Sequence, residues 1–249
     1  MPARRAALAC LLVCSLAAAA DAPVASGVQA VAEVGVISPD GKTVFIAGKD
    51  GVEAVDAATG KSKWSAKSPA RPLLVANGVV LAWAAEGESK IALVGFDAES
   101  GAKAFAAKPV PTADWAVVGA EGQGKSFAIL AKQDGDGVVV GWVARASYFG
   151  GAAPTPEIEE AARKRAAGYV RLTLKDGQMT AVKGEPKDED FYDPAGKPLA
   201  ATFGYEFTVE SSPPPQPFGT VKRKLVATKD GKEAWTRELT GKQFLPPPP

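Results

Sequence analysis

The stretch Val44–Trp64, VFIAGKDGVEAVDAATGKSKW, decides how the rest of the chain is read. Short apolar runs alternate in it with turn residues. The reading is a strand at Val44–Ala47, a turn at Lys49-Asp50-Gly51, a strand at Val52–Asp56, a turn at Ala58–Lys61, then Lys63-Trp64. Gly supplies the positive φ that a tight reversal requires, so this is hairpin chemistry. Outward from this stretch the pattern returns. ALVGFDAESGAKAF (Ala92–Phe105) places Asp97, Gly101 and Phe105 where the first copy has Asp56, Gly60 and Trp64. KLVATKDGKEAW (Lys224–Trp235) places Gly231 and Trp235 in the same frame, with Ala227 in place of the Asp. VRLTLKDGQMTAV (Val170–Val182) is a weaker copy that keeps only the turn at Asp176-Gly177. A further strand, Gly turn and strand precede the first three units: VISPDGKTVFIA, LVANGVVLAW and VVGAEGQGKSFAIL.

Gly41 and Gly78 are 37 positions apart, and Gly60 and Gly101 are 41 apart. A period near 40 residues with about four strands is one propeller blade. The expected fold is therefore all-β: a β-propeller of four-stranded antiparallel blades, about four to six of them in a ring that need not be complete, with one short inserted helix. Blades are expected at about 31–72, at about 73–111, from Asp114 onward with an interruption, and at about 199–240. One blade cannot bury its own faces, so stacking on neighbours makes the core. Trp64, Phe105 and Trp235 are expected to wedge between blades, a structural role that uses their large apolar area.

The interruption, PTPEIEEAARKRAAG (Pro154–Gly168), reads as a helix within an insertion at 146–168. Thr155 is the N-cap, Pro156 the first helical residue, Glu157, Glu159 and Glu160 fill the first turn, Arg163 to Arg165 the last, and Gly168 stops it. Glu159–Arg163 and Glu160–Lys164 are i, i+4 pairs. Ile158, Ala161 and Ala162 form a small apolar face expected to dock on the propeller. The polar loop Lys183–Pro198 follows, and the Pro-rich runs at Ser211–Pro217 and 246–249 read as extended, unpaired chain, the latter as a tail beyond a repeat domain at 21–245.

Arg4 and Arg5, the uncharged run Ala6–Ala20 and the small residues Ala18 and Ala20 describe a secretory signal peptide over residues 1–20. Export to the periplasm or medium is the expected location. No later stretch is long and apolar enough to span a bilayer. The residues before Cys10 and Cys14 match a lipobox poorly. Both cysteines lie in that leader and the chain has no His. A mature domain without either lacks disulfides, thiolate nucleophiles and the commonest base and metal ligand. Without Arg4 and Arg5 there are 27 basic and 28 acidic side chains, which gives no electrostatic footprint for nucleic acid.

AVDAATGKSKW resembles the PQQ-type repeat of quinoprotein dehydrogenases and of many non-enzymatic propellers. SPDGKTVF (Ser38–Phe45) is similar to the related YVTN and WD types. The resemblance covers residues 31–130 well and 169–240 loosely. It implies closed rings of seven or eight blades, so this array would be small, open, or completed by self-association with a second chain. It also implies, for the enzymes, a calcium ion, an acidic base, an adjacent cysteine pair and a Trp floor for the quinone. No cysteine follows residue 20, and no matching acidic constellation stands out. The expectation is a non-catalytic binding scaffold that engages a protein partner through its loops, without cofactor, metal or catalytic residues. The alternative is a PQQ-dependent oxidoreductase.

Three motifs are weighed and read as structural. GAEGQGKS (Gly119–Ser126) fits the phosphate-loop pattern, with Lys125 and Ser126 as phosphate and magnesium ligands, but it occupies a hairpin position and lacks a long following helix. DGDG (Asp134–Gly137) is too short for a calcium loop. KDEDFYD (Lys187–Asp193) gathers Asp188, Glu189, Asp190 and Asp193 in one loop, a pattern that is usually a solvated face.

Overall fold

The computed structural model describes residues 30–31, 35–48, 51–119, 125–146, 155–187, 199–202, 204–212 and 222–239. Residues 1–20, the loop acids 188–193, residues 213–217 and the run 246–249 lie outside the described residues, while Ser211 and Ser212, expected to be unpaired, are strand residues opposite Arg223 and Lys222.

Four antiparallel sheets follow one another along the chain. Blade 1 contains β1 (Ala30–Val31), β2 (Gly35–Ile37), β3 (Thr43–Gly48), β4 (Gly51–Asp56) and β5 (Ser62–Lys67), in that order. Blade 2 has β6 (Arg71–Ala76), β7 (Val79–Ala85) and β8 (Lys90–Asp97). Both β9 (Lys103–Ala106) and β10 (Val110–Pro111) pair on the outer side of β8. Blade 3 runs β11 (Lys125–Asp134), β12 (Gly137–Ala146), β13 (Arg165–Thr173) and β14 (Met179–Val182), with α1 (Pro156–Ala162) between β12 and β13. Blade 4 runs β15 (Leu199–Thr202), β16 (Tyr205–Ser212), β17 (Lys222–Lys229) and β18 (Lys232–Leu239).

Turn residues fix the registers. Asn77-Gly78 and Asp230-Gly231 both have positive φ at each centre, which is the two-residue turn that matches strand twist. Gly135 alone is positive in the Gly135-Asp136 turn that joins Asp134 to Gly137.

Burial sets the order of the blades in space. β3 is buried at every position: Val44 and Ile46 join a cluster with Phe207, Leu225 and Trp235 of blade 4, while Phe45 joins one with Val75, Val80 and Phe96 of blade 2. The opposite face of blade 2 gives Leu74, Leu81 and Leu93 to a third cluster with Val138, Val140, Trp142 and Leu172 of blade 3. The spatial order is therefore 4–1–2–3. Among the described residues no apolar cluster joins blades 3 and 4, although residues 183–198 connect them covalently. Among the described residues the array is an open arc.

Several expectations need correction. Val117-Val118 is not a strand: Val118 is buried in a turn, where its N–H donates to the Glu88 carbonyl at 2.8 Å. The helix stops at Arg163 instead of Gly168, because β13 begins at Arg165 and pairs Arg165 with Arg145. The insertion between strands is thus 147–164. Gly168 instead sits beneath the Trp142 ring, whose atoms would lie 3.1–3.2 Å from an added Cβ. The apolar face of α1 does not dock: no helix residue is buried, and Ile158 is 42% exposed. Thr155 does cap α1, with its side chain accepting from the Ile158 N–H, and Glu159–Arg163 pairs at 3.5 Å.

Candidate functional site

One turn motif shapes the junctions between blades. In blade 1 the Asp56 carboxylate accepts from the Thr59 hydroxyl and N–H, both at 2.8 Å, and from the Ala58 N–H at 3.2 Å. In blade 2 Asp97 repeats this with the Ser100 hydroxyl (2.6 Å), the Ser100 N–H (2.8 Å) and the Glu99 N–H (3.2 Å). Those donors, the hydroxyl first, hold both carboxyls below the ordinary aspartate value. Each turn closes with the Gly60 or Gly101 N–H donating back to the Asp carbonyl at 2.9 Å. Blade 3 keeps this backbone with Thr173 in the Asp place, because the Gly177 N–H donates to the Thr173 carbonyl at 2.9 Å. Blade 4 departs from it. Gly231 sits in a two-residue turn with open space around it, while Gly60, Gly101 and Gly177 each meet a ring.

Those rings come from the neighbouring blade. A Cβ on Gly101 would lie 2.5 Å from the Trp64 ring, one on Gly60 2.6 Å from Trp235, and one on Gly177 2.6 Å from Phe105. Each of these glycines also has positive φ, so both space and backbone demand glycine. The indole N–H groups are satisfied across the same junctions. Trp64 Nε1 donates to the Ala98 carbonyl and Trp235 Nε1 to the Ala57 carbonyl, each at 3.0 Å. Junction 4/1 is reinforced further. Arg237 Nε donates to the Gly60 carbonyl at 3.0 Å, the Arg237 guanidinium lies 3.8 Å from Glu53, and the Tyr205 hydroxyl donates to the Ala58 carbonyl at 3.1 Å. Trp64, Phe105 and Trp235 thus occupy equivalent places at three junctions, and Asp56, Gly60, Asp97 and Gly101 shape the turns that receive two of them. The aromatic position of blade 3 holds Ala181, which is exposed.

Stacking blades in this way aligns their ends. Strands alternate in direction, so the connections sort onto two faces. The face with the ring-bearing turns carries only short links, none above five residues: 38–42, 57–61, 77–78, 98–102, 135–136, 174–178, 203–204 and 230–231. The opposite face carries every long one: 112–124, 147–164, 183–198 and 213–221. Among the described residues this face presents α1, the Arg165–Glu185 ion pair at 3.1 Å, and a packed group in which Arg71 lies over Trp83 at 5.7 Å and Trp83 meets Phe127 at 5.6 Å. Sequence reasoning did not single out Arg71 or Trp83. The signal was weak, since each looks like an ordinary strand residue until blades 2 and 3 are placed side by side.

Lys125 and Ser126 are exposed at the start of β11, a strand, and residues 120–124 lie outside the described residues. A phosphate loop would need a helix at Ser126. Asp134 and Asp136 are bridged by one guanidinium, with Arg171 at 3.4 Å and 3.2 Å respectively. Among the described residues no group of three or more Asp and Glu is arranged to hold a metal ion, and no helix is long and apolar enough to cross a membrane.

The sequence profile of a PQQ-type repeat family, described as outer membrane protein assembly factor BamB, matches residues 19–145, just over half of the chain. The chain belongs to that family. Among solved structures it is similar to quinohemoprotein alcohol dehydrogenase ADHIIG from Pseudomonas putida HK5. The identity is 15%, 81% of this chain and 34% of that one are covered, and the TM-score is 0.33. The chain spans about a third of the length of that enzyme. No curated protein matches the sequence. The BamB-type chain is thus a PQQ-repeat β-propeller with four blades among its described residues, in an incomplete ring.

Proposed function

We propose that this chain is an exported, non-catalytic scaffold that binds a protein partner through the face carrying its long connections. The observation that carries the reading is the sorting of those connections. Links of five residues or fewer join the strands at one end of the blades, and every longer connection leaves from the other end, where loops carry recognition. Membership in the family described as an assembly factor, and the basic, apolar, small-residue order of the leader, support the same reading.

The test is site-specific photocrosslinking in the producing cell. A photoreactive residue at Ile158 or Glu185, on the long-connection face, should give a discrete protein adduct. The same residue at Lys42 or Lys175, on the short-turn face, should give none. Adducts confined to Lys42 and Lys175, or absent from both faces, would reject the reading.

A further inference from the structure

The face of blade 3 turned away from blade 2 is charged at its long-connection end and apolar just below it. In its first cross-strand row Arg145 stands directly opposite Arg165. Like charges in that position repel, so the pair calls for carboxylates. Glu185 supplies one, 3.1 Å from Arg165. The same guanidinium donates to the Pro186 carbonyl at 2.6 Å, and Pro186 is buried although it lies in a connection and not in a strand. The chain leaving β14 is therefore already folded back on this end of the face when it reaches Lys187.

The second row holds Val143 between Ala128 and Ala167. Val143 is 1% exposed, yet the residues opposite it carry one methyl group each and cannot close over it. The helix α1 does not supply the cover, since none of its residues is buried. In the third row the Tyr169 ring lies over Gly141, where an added Cβ would be 2.8 Å from it. The patch thus asks for an occupant with negative charge at one end and apolar area next to it.

We propose that residues 188–193 dock here, with their carboxylates against Arg145 and Arg165 and the rings of Phe191 and Tyr192 over Val143 and beside Tyr169. The order along the chain is right: Asp188, Glu189 and Asp190 come first after the Arg165 anchor, then the two rings, then Asp193. The length is right as well. The connection leaves β14 and enters β15 at Leu199, and strand direction puts both of these ends on the long-connection face. Residues 188–198 can span up to ~36 Å at ~3.3 Å each, whereas Arg145 and Gly141 are only ~13 Å apart along β12. The segment can reach Tyr169 and return. Tethering beside Arg165 gives it an effective concentration of roughly millimolar, which an acidic partner from solution must exceed. Docked, it caps this end of the blade array.

The test is chymotrypsin cleavage of the purified folded chain, with the first cut located by mass spectrometry. Phe191 and Tyr192 should be cut slowly, against fast cutting in a synthetic peptide of residues 183–198. Arg145→Glu should speed the cut about tenfold, the loss of roughly one charge-assisted contact from the closed state. Adding Asp188→Lys and Asp190→Lys to Arg145→Glu should slow it again, which a general loosening of blade 3 would not do. Should Arg145→Glu fail to fold, thiol labelling of Ala128→Cys decides the matter, because no other cysteine follows residue 20. Replacing residues 188–193 by Gly and Ser should speed that labelling and leave the labelling of Thr208→Cys, on the outer face of blade 4, unchanged. Cutting of the purified chain at the peptide's rate would overturn the proposal and leave the patch to an acidic partner. So would an Arg145→Glu chain cut no faster than the unmodified one, or labelling of Ala128→Cys indifferent to the replacement.

Discussion

Junctions 1/2 and 2/3 are made by the same device with different parts. At 1/2, Trp64 covers Gly101 and its indole N–H reaches the Ala98 carbonyl. At 2/3, Phe105 covers Gly177 and has no N–H to offer. The second junction compensates with bulk. Trp83, Trp142, Leu74, Leu81 and Leu172 share its cluster, and Trp115 packs against them, whereas junction 1/2 is lined mainly by Val and Ala. The comparison separates two ways of holding blades together: a local aromatic lock on a glycine turn, and a broad apolar interface that tolerates a weaker lock. Junction 4/1 leans furthest on the lock, with Trp235 almost wholly buried and Arg237 and Tyr205 adding polar ties.

Removing the locks should therefore have graded effects. Trp235→Ala deletes a buried ring and an indole donor at the junction that joins the ends of the sequence. It should cost about 3–5 kcal/mol in urea denaturation, in the range for large-to-small core changes. Phe105→Ala should cost less, about 3 kcal/mol at the low end of that range, since its cluster can close around the gap. Equal losses would mean that the lock, and not the surrounding cluster, governs both junctions.

The next test separates the ring from the backbone. Gly101→Ala must place a Cβ 2.5 Å from the Trp64 ring at φ +73°, while Gly78→Ala meets the same positive φ (+76°) with open space around it. The backbone penalty alone is about 1–2 kcal/mol. Gly101→Ala should add about 1–3 kcal/mol for the displaced indole. Melting temperatures of the two variants give the difference directly. Indistinguishable values would show that the turn, not the aromatic, demands glycine there.

Much of this was legible because the lock is local in sequence on one side. Asp56-x-x-x-Gly60 and Asp97-x-x-x-Gly101 can be read as turns, and the residue four places later as a wedge. The partner of each wedge cannot be read, since Trp235 meets Gly60 across most of the chain and only stacking reveals it. Gly231 misled for a related reason. It holds the right distance from Trp235, yet Asp230-Gly231 alone closes the hairpin, so no five-residue turn forms. Blade 3 was hardest. Its strands flank an insertion whose capped start, Thr155-Pro156, signals a helix, but β13 pairing from Arg165 claims residues that helical propensity assigned to α1. The long-connection face was legible only as loops. Which end of the blades they share depends on strand direction.

Trp64→Phe makes junction 1/2 a copy of junction 2/3. The ring remains and the bond to the Ala98 carbonyl is lost, so the cost should be about 1 kcal/mol. The reverse change, Phe105→Trp, places an indole beside Leu174, which follows Thr173 as Ala98 follows Asp97. It should be neutral or slightly stabilising. A large loss would mean the blade 3 turn is shaped for a smaller ring.

The smallest effect concerns pH and distinguishes blades 1 and 2 from blades 3 and 4. Asp56 and Asp97 are held below the ordinary aspartate value by hydroxyl and N–H donors that exist only in the folded turn. A depressed carboxyl contributes stability that is present above its unfolded value, about 3.9, and is lost as pH falls through the lower folded value. Both groups are solvent-facing, so the contribution is modest and should fade below about pH 4. Thr173 holds the corresponding place in blade 3, and blade 4 has no such turn, so neither offers a carboxyl there. Asp56→Asn with Asp97→Asn should therefore lower stability at pH 7 and flatten the acid limb of the stability curve between about pH 4 and pH 2. An acid limb as steep as that of the unmodified chain would show that other carboxylates set the acid response and that these two turns are held by their backbone bonds alone.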